Sequence, residues 1–217
     1  METPYSQNDL LTLLSGQKSL PFEPGTQFRY GTSDYFLLAM IVQRVSGKPF
    51  AEFARKNLFE PLGMSRTFFM TDPTRIVKQR AVGYHKDPQG RFRGWNASSS
   101  ASAGRGLYTS VEDLVRWNRN FYDSRFPKGK YISEFLEEGT LLDNRNVVDA
   151  RPTGKYRCLK RIQFTGGMPG FVAGMARFPE QRFTVICLCN SSDIAAWDIA
   201  ERIADLYLAD ELVRHQG

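Results

Sequence analysis

Three short stretches bring together residue types that could handle an acyl group. Tyr30-Gly31-Thr32 sets a phenol and a hydroxyl two residues apart, after Pro24-Gly25-Thr26 and just before a helical pattern begins. A phenol at such a junction can take up or pass on a proton, and it can equally serve as packing. Phe164-Thr165-Gly166-Gly167 closes a strand-like run with two residues that lack side chains. A ligand could approach the backbone N–H groups there, although a plain glycine turn gives the same letters. Ser15-Gly16-Gln17-Lys18 is the one Ser-x-x-Lys of the sequence. On a helix that spacing puts the lysine one turn from the serine, placed to take its proton during nucleophilic attack. Here Gly16 separates the pair and Pro21, Pro24 and Gly25 follow. The segment reads as a helix over Asp9 to Leu14 running out into a loop, and the match as a chance one.

The surrounding elements read in three blocks. Ser33 or Asp34 can cap a helix with Leu37, Leu38, Ile41, Val42 and Val45 at helical spacing, ending at Gly47. Pro49 suits the first turn of a second helix, Phe50 to about Leu58, which stops before Pro61 and Gly63. Thr71 to Ser102 is loop-rich, with Gly83, Pro88, Gly90, Gly94 and the run Ala97-Ser98-Ser99-Ser100-Ala101-Ser102. Ser110 followed by Asp113 resembles a capping box opening a helix with Val111, Leu114, Trp117 and Phe121 on one side. Lys155 to Phe164, Gly170 to Phe178 and Phe183 to Cys189 are strand candidates separated by turn residues. A terminal amphipathic helix follows, its predicted core face Ile199, Ile203 and Leu206. The expectation is an α+β fold, an antiparallel sheet flanked by helices plus a helical subdomain. The helical and loop part covers about 24–150, and the sheet hairpins with the C-terminal helix about 151–212.

Composition narrows the function classes. The 217 residues are 41% hydrophobic and 24% charged, and their 18 glycines and 11 prolines follow no period, which excludes fibrous and low-complexity chains. The longest apolar run, Tyr35 to Val42, is too short to cross a bilayer. The net charge of +6 is mostly scattered. Its densest stretch, Lys155, Arg157, Lys160 and Arg161, alternates with Tyr156, Cys158, Leu159 and Ile162 and reads as a solvated sheet edge, so no nucleic-acid partner is expected. Cys187 and Cys189 share one face of a strand, a geometry against a disulfide, and read as buried thiols. No Cys or His pair, His85 and His215 included, has zinc-ligand spacing, so no metal is expected. Met1 to Asp9 lacks a basic-then-apolar pattern, so the expectation is of no signal peptide and a start in mid-domain.

Pro24-Gly25-Thr26-Gln27-Phe28-Arg29-Tyr30-Gly31-Thr32, Tyr35-Phe36-Leu37-Leu38, Val45-Ser46-Gly47 and Phe59-Glu60-Pro61-Leu62-Gly63-Met64 resemble the β-lactamase-related serine hydrolases. That family includes class C β-lactamases, D-Ala-D-Ala peptidases and carboxylesterases. Gly106-Leu107-Tyr108-Thr109-Ser110, Gly166-Gly167-Met168-Pro169-Gly170-Phe171, Arg177-Phe178-Pro179-Glu180-Gln181 and Leu188-Cys189-Asn190 continue the match in family order, so that it covers residues from about 9 to 210. The resemblance implies acyl transfer without a cofactor on a small ester or amide. A Ser-x-x-Lys serine attacks the carbonyl, and a Tyr-x-Asn tyrosine helps move protons. A Lys-Thr-Gly or His-x-Gly strand lines the acyl pocket. Carried over, Tyr30 takes the tyrosine's place, Gly167 supplies half the oxyanion hole, and Thr32, Phe164, Thr165 and Gly166 line the substrate site.

Three departures from the family pattern qualify this. Thr32 stands where asparagine is expected, and Phe164 where lysine or histidine is expected. Loss of that cation implies a substrate without a free carboxylate at that end. Ser15 lies only fifteen residues before Tyr30, whereas the family's nucleophile lies far upstream. The resemblance therefore implies the C-terminal two-thirds of a domain, inactive as given, with nucleophile and lysine in a missing front. It also implies that the strand over Phe183 to Cys189 is left as a bare edge prone to self-association. The alternative is a non-catalytic relative used for binding or scaffolding. Members of the family are commonly exported.

Overall fold

The computed structural model describes residues 7–72, 74–95, 106–123 and 153–214. The chain divides into two compact units, Met1–Ile76 with Ser98–Ala150 and Val77–Ala97 with Arg151–Gly217. The run Ala97 to Ser102 and His215 lie outside the described residues.

The first unit opens with α1, Gln7–Ser15, and α2, Thr32–Ser46. Gly31 in extended backbone is the N-cap of α2, earlier than the Ser33 or Asp34 expected. The Asp34 carboxylate folds back over Gly31, so a Cβ there would stand 2.9 Å from it, and glycine fits where a larger cap would collide. Gly47 ends α2 as expected, in the left-handed region at φ 66, its N–H donating to the Gln43 carbonyl at 2.9 Å. The expected apolar face is corrected: α2 buries Phe36 and Ala39, while Leu38, Ile41 and Val45 are exposed, Val45 at 83%. α3, Phe50–Ala54, starts after Pro49 and widens into a π-turn over Arg55–Phe59. Ala54, Phe59, Leu62 and Met64 pack there with Phe69 and Trp117.

β1, Phe68–Phe69, belongs to the same unit. The segment expected to be loop between Thr71 and Ser102 instead contains a hairpin, β2 (Tyr84–Lys86) with β3 (Phe92–Gly94), which belongs to the second unit. β4, Leu107–Tyr108, pairs antiparallel with β1, and α4 follows over Val111–Asp123. Only half the expected capping box forms. The Asp113 N–H donates to Ser110 Oγ at 3.3 Å, but the Asp113 carboxylate turns to the backbone N–H of Arg66 and the hydroxyl of Thr67.

The second unit is built on β5 (Thr153–Tyr156), β6 (Leu159–Met168), β7 (Phe171–Phe178) and β8 (Phe183–Cys189), antiparallel in the order β5-β6-β7-β8. The single strand expected over Lys155 to Phe164 is two, because Arg157 adopts φ 53 and turns the chain between them. α5, Ala196–Tyr207, covers one face of the sheet and α6, Ala209–Arg214, ends the described chain. The core joins Leu159, Ala176, Phe178, Val185, Ala200, Ala204 and Leu208. Full burial of one such Phe or Leu contributes about 1.5–3 kcal/mol.

The predicted core face of the terminal helix is also corrected. Ile203 packs on the core, but Ile199 is exposed and Leu206 is 78% exposed, while Ala196, Ala200 and Ala204 face the sheet. Helix and strand approach closely: a Cβ on Gly174 would lie 3.2 Å from the Ala196 carbonyl oxygen, so small residues are needed where the two backbones meet. Gly170, at φ 82 in the β6–β7 turn, has Gly83 Cα only 2.8 Å from where its own Cβ would be, so both backbone conformation and space demand glycine. Among the described residues no helix is long and apolar enough to cross a membrane.

Candidate active site

The residues singled out in sequence fall at two places, one in each unit. In the first unit, Tyr30 is 65% exposed, its ring tilted against Tyr35 with centroids 5.6 Å apart. Gly31 then leads into Thr32, the first residue of α2. The phenol and the Thr32 hydroxyl thus flank a helix N-terminus, whose unpaired N–H groups favour negative charge.

In the second unit, Phe164, Thr165, Gly166 and Gly167 form the distal half of β6, where hydrogen-bond parity decides which backbone groups are free. The two-residue turn Pro169-Gly170 joins Met168 to Phe171, which are directly paired. A two-residue turn closes on a pair that exchanges both backbone bonds. Gly166 and Phe164 therefore also bond to β7, whereas Thr165 and Gly167 aim their N–H and C=O groups away from it. β5 pairs with β6 only as far as Ile162, and among the described residues no strand lies beside 163–168. Among the described residues nothing pairs with the edge to which the Gly167 N–H points, and Thr165, Gly166 and Gly167 are exposed.

Nothing local requires glycine at these two positions. Neither has a positive φ. A Cβ on Gly166 would meet nothing within 4 Å, and one on Gly167 only the Phe171 carbonyl oxygen at 4.0 Å. A strand glycine with room around it leaves space for something from outside to approach the backbone. Phe164, half-buried opposite Met175, gives this stretch an apolar flank without a cation.

Ser15 makes no nucleophile with Lys18. Its hydroxyl donates to the Thr12 carbonyl at 3.0 Å at the end of α1, and Lys18 lies beyond the helix. The two arginines of the basic stretch are engaged internally: Arg157 with Asp205 at 3.0 Å, and Arg161 with Glu201 at 2.8 Å and over the Trp197 ring. Burial, aided by the Asp205 carboxylate that accepts its proton at 2.9 Å, raises the Tyr156 phenol above its ordinary pKa. Cys158, Cys187 and Cys189 are free thiols, and burial also raises Cys187. Among the described residues no three His, Cys, Asp or Glu side chains gather as a metal site.

Sequence reading missed two features. The direction of the Gly167 N–H follows from strand register, which the Met-Pro-Gly-Phe turn could have signalled. The Asp113 cluster joins partners 46 and 47 residues away and left no local trace.

Comparison with known proteins places this chain in a family. The chain is 27% identical over 121 residues to a D-aminopeptidase of Gluconobacter oxydans, covering 56% of this chain and 23% of that protein. It is 24% identical over 202 residues to the D-alanyl-D-alanine-carboxypeptidase/endopeptidase AmpH of Escherichia coli, covering 84% of this chain and 50% of the relative. The chain thus spans half or less of the length of these relatives. Its fold matches the octameric penicillin-binding protein homologue from Pyrococcus abyssi with a TM-score of 0.81 at 24% identity, over 94% of this chain and 48% of that one. The expected α+β fold is that of β-lactamases and transpeptidases. With the family model described as Beta-lactamase matching residues 2–209, the chain belongs to the β-lactamase family of serine hydrolases.

Proposed function

We propose that this chain supplies the proton-relay tyrosine and the oxyanion strand of a serine acyl-transfer site that hydrolyses an ester or amide. The observation that supports this most is the pair Gly166 and Gly167 on an open strand edge, uncrowded and with ordinary backbone angles, one of them presenting its N–H outward. In this reading a serine oxygen attacks the substrate carbonyl carbon and gives up its proton. Two N–H groups, that of Gly167 and that of the serine, hold the resulting oxyanion. Tyr30 passes the proton to the departing alcohol or amine, and water then releases the acyl group. Thr32, Thr165, Gly166 and Phe164 line the substrate. The apolar Phe164 favours a substrate that is neutral at that end, as in an amino-acid amide or a simple ester.

The nucleophile and its lysine come from outside these 217 residues, because the only Ser-x-x-Lys here is the Ser15 pair at a helix end. The purified chain is expected to release no nitrophenol from nitrophenyl butyrate and to take no fluorophosphonate label. Joined to a Ser-x-x-Lys helix of the family, it is expected to do both. Label on Ser15 in the chain alone would overturn the assignment. Silence of a folded, joined protein would favour a non-catalytic binding role, the reading that Thr32 and Phe164 motivate.

We infer in addition that the chain self-associates through β8. Among the described residues this strand stands at the margin of the sheet, and it carries no charge, proline or glycine between Phe183 and Cys189, so it lacks the usual guards of a strand edge. Sedimentation is expected to show species larger than a monomer, and a persistent monomer at high concentration would refute this.

A further inference from the structure

The β2–β3 hairpin has a surface that the acyl-transfer reading leaves unused. Residues 77–95 carry Lys78, Arg80, Lys86, Arg91 and Arg93 against one acid, Asp87. That leaves +4 of the chain's net +6 in one short segment, with His85 counted neutral. The charge is held in place at the tip. The Asp87 carboxylate accepts the backbone N–H groups of Gln89 and Arg91 and binds the guanidinium groups of Arg91 and Arg93, each at 3.0 Å.

Among these cations stand exposed aromatic rings. Phe92 is 63% exposed with the Lys86 ammonium 5.4 Å from its ring centroid, and Trp95 is 43% exposed against His85. The register places them on opposite faces of the ribbon. Lys86 pairs directly with Phe92, and His85 with Arg93, so Tyr84, Lys86 and Phe92 share one face while His85, Arg93 and Trp95 share the other.

We propose that this hairpin is a peripheral anchor for an anionic lipid bilayer, entering the headgroup layer with Phe92, beside the turn, deepest and Trp95, at the root of the hairpin, nearer its outer surface. A protein groove or a stacked nucleobase engages one face of a ribbon, whereas the headgroup layer surrounds an inserted tip on both. Aromatic rings settle at the depth where hydrocarbon meets headgroups, and the adjacent Lys and Arg side chains meet lipid phosphates. Attraction to anionic lipid grows with each cation near the surface and weakens with salt.

The test uses the full chain and sucrose-loaded vesicles of phosphatidylcholine, alone or with about one third phosphatidylglycerol. Binding to the anionic vesicles is expected to be about tenfold or more tighter than to the neutral ones, with a blue shift of Trp95 emission that W95F removes. The pair K78E/K86E and the single change F92S alter exposed side chains outside the Asp87 contacts and should leave the fold intact. Each is expected to weaken binding to anionic vesicles about tenfold. Equal partition of wild type and both variants would overturn the proposal. So would binding to soluble polyglutamate or an oligonucleotide that is as tight and indifferent to F92S, since that would be charge attraction alone.

Discussion

Replacing Asp113 by alanine is expected to cost about 2–4 kcal/mol of stability, a large share of the roughly 5–15 kcal/mol that an ordinary domain has. The Asp113 side chain is fully buried at 0% exposure. Its Oδ2 accepts the Arg66 N–H and the Thr67 hydroxyl, both at 2.8 Å, and its Oδ1 meets Arg116 at 2.7 Å. Thr67 in turn lies 2.8 Å from the Thr109 hydroxyl, so a single carboxylate ties the approach to β1 to the start of α4. Alanine removes the carboxylate that accepts the half-buried Arg66 N–H and the buried Thr67 hydroxyl, which keeps only Thr109 as a partner, and losing such an acceptor costs about 1–3 kcal/mol. The partner charge matters less. Arg116 keeps its side chain 45% exposed, but removing it leaves the buried Asp113 carboxylate without its counter-ion, so R116A is expected to lose about 1–2 kcal/mol, less than D113A because both hydrogen-bond donors keep their acceptor. Asparagine at 113 keeps an acceptor for Arg66 and Thr67 while turning a donor toward Arg116, and should fall between the two. Urea midpoints followed by Trp117 fluorescence, one turn along α4, order the three variants. An R116A loss equal to that of D113A would show that the ion pair, and not the two hydrogen bonds from Arg66 and Thr67, carries the energy.

The residues that punctuate the chain were legible because their roles are local. Gly47 in the left-handed region, Pro49 before α3 and the turns around Pro169-Gly170 and Pro179 each act on their own backbone. Strand existence was legible from period-two apolar runs, and family order from short motifs spread along the chain. Which face of a helix is buried was not. α2 shows solvent Leu38, Ile41 and Val45 and buries Phe36 and Ala39, and α5 packs through alanines because Gly174 brings the sheet close. Apolar periodicity reports that a stripe exists, but backbone separation decides whether the stripe in contact is made of isoleucine or alanine. The β2–β3 hairpin escaped notice for another reason. Its strands alternate aromatic and charged residues on two exposed faces, so the usual apolar-in, polar-out signal is missing. At the candidate site the residue types were visible, but register alone reveals that Gly167 turns its N–H outward while Gly166 does not.

Proline substitutions at these two glycines should give opposite outcomes, and that contrast tests the site most directly. The Gly166 N–H belongs to the ladder with Ala173, so G166P removes a bond from the interior of the sheet and is expected to destabilise the second unit by about 3 kcal/mol or more. The Gly167 N–H takes no part in that ladder. G167P should therefore fold, with Gly166 in front of it already in the extended conformation that a following proline prefers. What it loses is the donor proposed for the oxyanion. In a competent protein that joins this chain to its nucleophile, kcat is expected to fall about 10²–10³-fold with little change in KM. G166A completes the set. Its Cβ meets nothing within 4 Å, so stability should hold or rise by about 0.4–1 kcal/mol, while the methyl group intrudes where a substrate would lie. A G166A protein that is stable and fully active would mean the open space at β6 serves no ligand. A G167P protein that keeps its kcat would assign the oxyanion donor elsewhere. Stability and turnover move independently across these three variants only if the glycine pair is kept for the reaction rather than for the fold.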